Sequence, residues 1–275
     1  MINYAEKYSG KVDEAFALES VTNGAVNNDY DFTGVNTVNV YSIQTSALND
    51  YDIEATGSRY GNPNELGDTK QTLVLTRDRS FTFTIDRKNA DDTMGVKQAG
   101  TALARQLREQ VIPEIDQYTI GKIVEGAGKV ATGETITKDN AYETFLLGQA
   151  HLGNKKAPRT GRVAYVTYAM YNFLKLDPAF TKQGDAGQNI VINGQVGTVD
   201  GVAIVPVPSD YFPNGVNFAM THASAVVRPI KLEDYKIHDN PPGISGQLVE
   251  GRIRYDAFVL NNKKDAIYVS KSTEA

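Results

Sequence analysis

The sequence contains no cysteine. This excludes disulfides, thiolate metal sites and a cysteine nucleophile, and it fits a reducing cytoplasm without requiring one. Histidine is scarce too. His151, His222 and His238 are far apart and lack metal-ligand spacing, so solvated or structurally bonded histidines are the better reading. Neither a G-x-S-x-G elbow nor a G-x-x-x-x-G-K-[ST] loop occurs. There is no basic tail or stripe and the net charge is -5, so gripping nucleic acid by phosphate neutralisation is not the main task. No apolar run is long enough to span a bilayer, and the start, MINYAEKYSGK, lacks the apolar core of a signal peptide. Tandem repeats and low-complexity blocks are absent.

What remains is ordinary in composition, with 41% hydrophobic and 22% charged residues in a chain of 275, ample for a buried core. Tyrosine outnumbers phenylalanine 15 to 10, which suits partly wet contact surfaces as well as satisfied core positions.

The organising stretch is Asp92 to Gly128. Val96, Ala99, Leu103, Leu107, Val111, Ile115 and Tyr118 recur at helical spacing, with Arg105, Arg108, Gln110, Glu114 and Gln117 between them. Asp92 or Thr93 can cap the start, and Gly126 and Gly128 supply the stop. Such a helix is roughly 50 Å long, a strut across which other elements can be laid. Pro113 lies inside it, where a proline either kinks one helix or begins a second after a break. Gly126-Ala-Gly128-Lys-Val-Ala131 matches a relaxed dinucleotide fingerprint, but it follows a helix where the mechanism needs a strand, so it reads as the helix stop.

Residues 1–35 read as a polar arm with a short helix near Ala15, Phe16 and Leu18. Thr37 to Ile43 reads as a strand, and Gly57 to Asp68 is dense in turn residues. Gln71 to Arg87 then alternates almost strictly, with Leu73, Leu75, Phe81, Phe83 and Ile85 on one face. As one strand it would reach roughly 50 Å, which suits a projecting hairpin better than a compact domain. The other reading is two strands broken near Arg77–Arg79. In the projecting hairpin, Leu73 and Leu75 lie near the tip, beyond their own core, and a neighbouring subunit is the expected cover. Arg59 and Tyr60, in the loop, join them as expected intersubunit contacts.

Further on, Asp139 can cap a helix carrying Tyr142, Phe145, Leu146 and Ala150. Arg162–Thr167 reads as a strand, Tyr168–Leu176 as a helix and Val202–Val207 as a strand, together a mixed α/β lobe. Gln247 to Leu260 is a second long alternating strand, with Val249, Ile253, Tyr255, Ala257 and Val259 on one face. Asn261-Asn262 then turns the chain into a last strand, Ala266 to Ser270.

This order of parts resembles the major capsid proteins of tailed bacteriophages with the Hong Kong 97-like fold. NYAEKYSGKVDEAF, DRSFTFTIDRKNADD, VIPEIDQYTIGKI, GQVGTVDGVAIVPVP and GQLVEGRIRYDAFVLNNKKDAIYV carry the resemblance over nearly the whole chain. It implies an α+β fold with an N-terminal arm (1–35), an extended hairpin loop (36–91), a peripheral domain with the spine helix (92–138 and 216–275) and a mixed α/β axial domain (139–215). It implies no catalytic residue, cofactor or metal. It implies self-assembly as pentamers and hexamers into an icosahedral head around double-stranded DNA, touched non-specifically and without a membrane. Portal and decoration proteins are further partners it allows. Because the arm begins at Met1, a separate scaffold or none is expected. Assembly in the host cytoplasm and residence in the virion follow from the same resemblance. Some relatives crosslink a hairpin lysine to a neighbour's asparagine; Lys70 lies near that region, but no acceptor or catalytic carboxylate can be matched. Two other readings stand beside the phage head: an encapsulin-like nanocompartment with a protein cargo, and a soluble α/β enzyme using unrecognised carboxylates.

Overall fold

A computed structural model of the chain describes residues 20–27, 30, 37–43, 45–54, 56–63, 65–88, 99–133, 135–177 and 197–273. In chain order these residues form β1 (Thr37–Ile43), β2 (Asp68–Val74), β3 (Arg77–Asp86), α1 (Ala99–Gln106), a π turn (Leu107–Val111), α2 (Ile112–Glu125), β4 (Lys129–Gly133), α3 (Ala141–Asn154), β5 (Arg162–Thr167) and α4 (Tyr168–Leu176). The second part contains β6 (Thr198–Val199), β7 (Val202–Val207), β8 (Val216–His222), β9 (Val226–Val227), β10 (Ile230–Asp239), β11 (Gly246–Tyr255), β12 (Phe258–Val259) and β13 (Ile267–Ser272).

A six-stranded sheet in the order β4-β13-β8-β5-β7-β6 is apolar on both faces. Alternation in β5 shows why. Ala164 and Val166 point to a core shared with Phe145 and Leu152 of α3 and with Met170 and Leu174 of α4. Val163 and Tyr165 point to the opposite core, shared with Ile120 and Ile123 of α2. A strand buried on both faces must be apolar at successive positions, as β5 is from Val163 to Val166. A second sheet, β10-β11-β3, lays Val249, Ile253, Tyr255 and Ile85 against Leu103, Leu107, Val111 and Ile115. The spine helix therefore joins two cores, its first half on the long sheet and its last turns on the six-stranded one.

Pro113 sits at the start of α2, directly after the π turn. The Ile112 N–H reaches back to the Leu107 carbonyl, five residues away. At the proline, therefore, the helix continues with a change of hydrogen-bond spacing just before it. The expected caps at Asp92 and Thr93, together with Val96, lie outside the described residues, as do Ala15, Phe16 and Leu18. At the other end, Gly126 caps α2, and the Gly128 N–H donates to the Lys264 carbonyl at 2.9 Å. A Cβ on Gly128 would meet that carbonyl oxygen at 2.6 Å. The Gly126–Ala131 segment is a helix stop leading into β4.

Several expectations need correction. Gln71–Arg87 is two strands: β2 pairs with β1 and β3 with β11, and the break is at Leu75-Thr76. Gln247–Leu260 also breaks, because β11 ends at Tyr255 and the chain resumes as the short β12 against β9. The segment 216–275 does not return to one sheet. β8 and β13 lie in the six-stranded sheet and β10 and β11 in the long one. The residue before α3 is Asn140, whose side chain accepts from Thr137 N–H. The Tyr142 N–H in the first turn donates to the buried Asp177 carboxylate at 3.1 Å. Asp139 instead faces Lys138 in solvent.

Gly251, in the middle of β11, leaves room for an aromatic layer. A Cβ there would overlap the Phe81 ring and approach Tyr235 Cδ1 to 2.9 Å. Gly251→Val is expected to cost about 1–3 kcal/mol by overpacking. Gly121→Ala is the opposite case: nothing lies within 4 Å of the added methyl, and the gain in helix propensity is about 0.5–1 kcal/mol. Thermal unfolding of the subunit should show a lowered midpoint for the first and an unchanged or raised one for the second. Equal midpoints would remove the steric argument.

Candidate intersubunit surface

The β1–β2 hairpin is clamped at its base. Leu73 and Leu75 are only 1% and 3% exposed. They pack with Val227 and Leu260, and with Tyr30, Val38, Val40 and Phe258 at the margin. The expectation that these two leucines wait for a neighbouring subunit is therefore corrected. They lie at the hairpin base, because the chain breaks after Leu75 and the tip lies at the other end of β2. Polar bonds fasten the same region. The Gln71 carboxamide donates to the Val259 carbonyl and accepts from Asn261 N–H, both at 2.9 Å. The buried Asp256 carboxylate accepts from Thr76 N–H and Thr76 Oγ1 at 2.8 Å each, from Ala257 N–H at 2.8 Å and from the Tyr118 hydroxyl at 2.9 Å. Burial first, and then the hydrogen bond to Asp256, push the Tyr118 phenol above its usual pKa.

Beyond the base the hairpin is uncovered. Among the described residues, eight of thirteen exposed large apolar side chains lie between positions 41 and 74. Leu48 is 100% exposed, Tyr60 80% and Ile53 68%. The loop nevertheless has a defined shape. Asp52 N–H donates to the Arg59 carbonyl at 3.1 Å, Asn49 Nδ2 donates to the Tyr60 carbonyl at 3.2 Å, and the rings of Tyr51 and Tyr60 meet edge to face at 5.0 Å. Gly61, at φ +85°, closes the turn. Arg59 and Tyr60 are both exposed in this loop, on the far side of the hairpin from Leu73 and Leu75. Lys70 Nζ lies 6.0 Å from the centre of the Tyr41 ring.

A third feature escaped the sequence reading. Asp116 and Arg228 are buried, with side chains 2% and 3% exposed, and they bind residues 20–23 at the root of the arm. Asp116 Oδ1 accepts from Ser20 Oγ at 2.7 Å and Thr22 Oγ1 at 2.5 Å, and Oδ2 accepts from Val21 N–H at 2.9 Å. Arg228 Nη1 donates to Thr22 Oγ1 and Ser20 Oγ, and Nη2 to Asn23 Oδ1. Burial lowers the Arg228 pKa, and the Asp116 charge opposes that shift. A signal was present: Asp116 shares a helical face with Ile112, Ile115, Ile120 and Ile123, where a carboxylate needs an internal partner.

A family model described as "Phage capsid protein" matches residues 67–270, well over half of the chain. The chain belongs to this phage capsid protein family. Solved structures agree in fold. One from Mycobacterium phage Che8 superposes with a TM-score of 0.71 at 21% identity, covering 91% of this chain and 90% of that one. The mature capsid of bacteriophage PhiM1 gives 0.68 at 12% identity, over 93% and 88%. A virus-like particle from Pyrococcus furiosus gives 0.62 at 11% identity, over 98% and 100%. A search of curated proteins finds no match. The molecule is a major capsid protein with the Hong Kong 97-like fold, a structural component of the virion.

The three histidines of the capsid protein lie apart, each against its own neighbours. His222 bonds Thr160 and Ser224, His238 faces Glu250 at 3.2 Å, and the His151 ring packs on Tyr268 at 5.7 Å. Among the described residues no three His, Asp or Glu side chains are grouped to hold a metal, and no helix is long and apolar enough to cross a membrane. A groove of about 530 Å³ follows the outer side of α2. In it the Arg77 guanidinium lies 4.4 Å from the Tyr118 ring centre, and Glu114, which lines it, pairs with Arg79 at 2.7 Å. This is an open cation–aromatic surface, suited to contact.

Proposed function

We propose that this capsid protein assembles as pentamers and hexamers into an icosahedral head around double-stranded DNA, in the cytoplasm of the host. The observation that supports this most is the hairpin: stiffly mounted at its base, yet carrying most of the exposed apolar side chains. An isolated two-stranded hairpin is marginal in water, and a patch of this kind calls for a partner. In this reading the hairpin loop, 36–91, lies on a neighbouring subunit through its outer half, with Arg59 and Tyr60 among the contacts. The six-stranded sheet with α3 and α4 forms the axial domain. The long sheet and the spine helix form the peripheral domain. The acidic chain touches DNA without gripping it. Portal, decoration and separate scaffold proteins complete the partner set.

A second reading, a nanocompartment shell for a protein cargo, draws support from the likeness to the virus-like particle of Pyrococcus furiosus over nearly both whole chains. One experiment addresses both. The purified protein is imaged by negative stain, alone and with a scaffold from the same source. Closed shells of uniform diameter are expected, and stable monomers at high concentration in both samples would refute assembly. Shells recovered from infected cells should contain nuclease-sensitive DNA. A stoichiometric protein cargo in place of DNA would favour the compartment.

A further inference from the structure

The geometry of the buried charge pair is unusual for a simple ion pair. Asp116 Oδ1 and Arg228 Nη1 stand 3.4 Å apart, long for a charge-assisted bond. Their short bonds run to the arm root instead. Thr22 Oγ1 lies 2.5 Å from each of them, and Ser20 Oγ lies 2.7 Å from the carboxylate and 3.0 Å from the guanidinium. The two hydroxyls thus flank the pair, each bonded to both charges, beside the direct contact of Arg228 Nη1 with Asp116 Oδ1. Val21 N–H and Asn23 Oδ1 extend the same recognition along the backbone. Apolar support for this segment comes from Val21, Ala25 and Val26, and Asn27 bridges to Val227, its N–H donating to the Val226 carbonyl. The clasp spans the fold, since Asp116 is on α2 and Arg228 follows β9.

We propose that Asp116 and Arg228 form a clasp specific for Ser20-Val21-Thr22-Asn23, and that the clasp fixes where this segment is seated against α2 and β9. Assembly then depends on it more than folding does. This rests on the shell reading above. The physical basis is an asymmetry. Removing either charge strands the other in the interior and damages the core. Removing the hydroxyls leaves the two charges facing each other, able to close their gap or take up water, while the arm root loses its holders.

The test uses the full chain with Ser20→Ala and Thr22→Val together, and Thr22→Ser as the conservative control. Amide hydrogen exchange is followed at 20–27 and in β5 and β8, and particle yield is measured in parallel. In the double variant, exchange at 20–27 should rise roughly tenfold or more, β5 and β8 should keep their protection, and particle yield should fall severalfold. Thr22→Ser should restore both. Continued protection of 20–27 would show that Val21, Ala25 and Val26 hold the segment unaided, and would overturn the clasp. So would a rise in exchange that spread to β5 and β8, or normal particle yield with the segment released. A wild-type chain that formed no particle would refute the shell reading alone. Exchange at 20–27 would then still decide whether the clasp exists.

Discussion

Leu75→Asp is expected to unfold the isolated capsid subunit at ordinary temperature, or to bring it close to unfolding. The side chain is 3% exposed and packed among Leu73, Val227 and Leu260. Losing a buried leucine costs about 2–5 kcal/mol. Placing a carboxylate there adds the cost of an unpaired buried charge, or of the pKa shift that neutralises it. Against a total stability of about 5–15 kcal/mol, this is a large share. Donors at the hairpin base are already engaged: Gln71 by Val259 and Asn261, Thr76 by Asp256, and Arg254 Nη2 by the Leu75 carbonyl. Circular dichroism and thermal melting of the purified subunit provide the check. A folded Leu75→Asp subunit with a normal melt, failing only at particle formation, would restore these leucines to the intersubunit surface and undo the description of the hairpin base.

The opposite behaviour is expected at the tip. Ile53→Asp with Tyr60→Asp should leave the subunit's melting midpoint nearly unchanged and sharply reduce particle yield. Both residues are largely exposed. Within the subunit, Tyr60 would lose only its edge-to-face contact with Tyr51, because its carbonyl, not its ring, holds Asn49. In an interface an aromatic anchor can account for about 2 kcal/mol or more, and closed symmetry repeats that loss in every subunit. The new carboxylates also add repulsion and desolvation to an already acidic surface. Sedimentation and electron microscopy of the assembly mixture would report it. Particles at wild-type yield would remove the hairpin tip from the intersubunit contact. A lowered subunit melt would mean that the tip packs on its own chain.

The contrast between these two sites marks how far a linear pattern reaches. Leu73, Leu75, Phe81, Phe83 and Ile85 share one parity, and strand alternation persists in phase across a short break. The five therefore look like one face of one strand. In the fold they serve two cores, and the divider is Asp256, 180 residues from the Thr76 hydroxyl that it binds. Gln247–Leu260 likewise reads as one strand and folds as two, with Asp256 and Ala257 between β11 and β12. The arm clasp shows a different limit. Asp116 on an apolar face announces a buried partner, but helical periodicity carries no information about which of 28 basic side chains supplies it.

Local patterns by themselves determined a good deal about this protein. Helical periodicity located the spine, Gly126 and Gly128 its end, alternation β3 and β11, and a short apolar run β5, because these signals depend on neighbours a few residues apart. The absence of cysteine, of nucleophile motifs and of metal-ligand spacing turned the reading away from catalysis. The order of the parts led to the capsid family. Tertiary structure alone decided which apolar residues are covered by their own chain. Leu75 and Tyr60 are both apolar residues of one hairpin, and nothing local distinguishes the buried one from the exposed one. The difference arises from Val227, Leu260 and Asp256, which long-range strand pairing brings to the hairpin base and not to its tip. Burial is a property of the assembled sheets, and the cost of a charge follows burial, so the division between folding residues and assembly residues is set only once those sheets are in place.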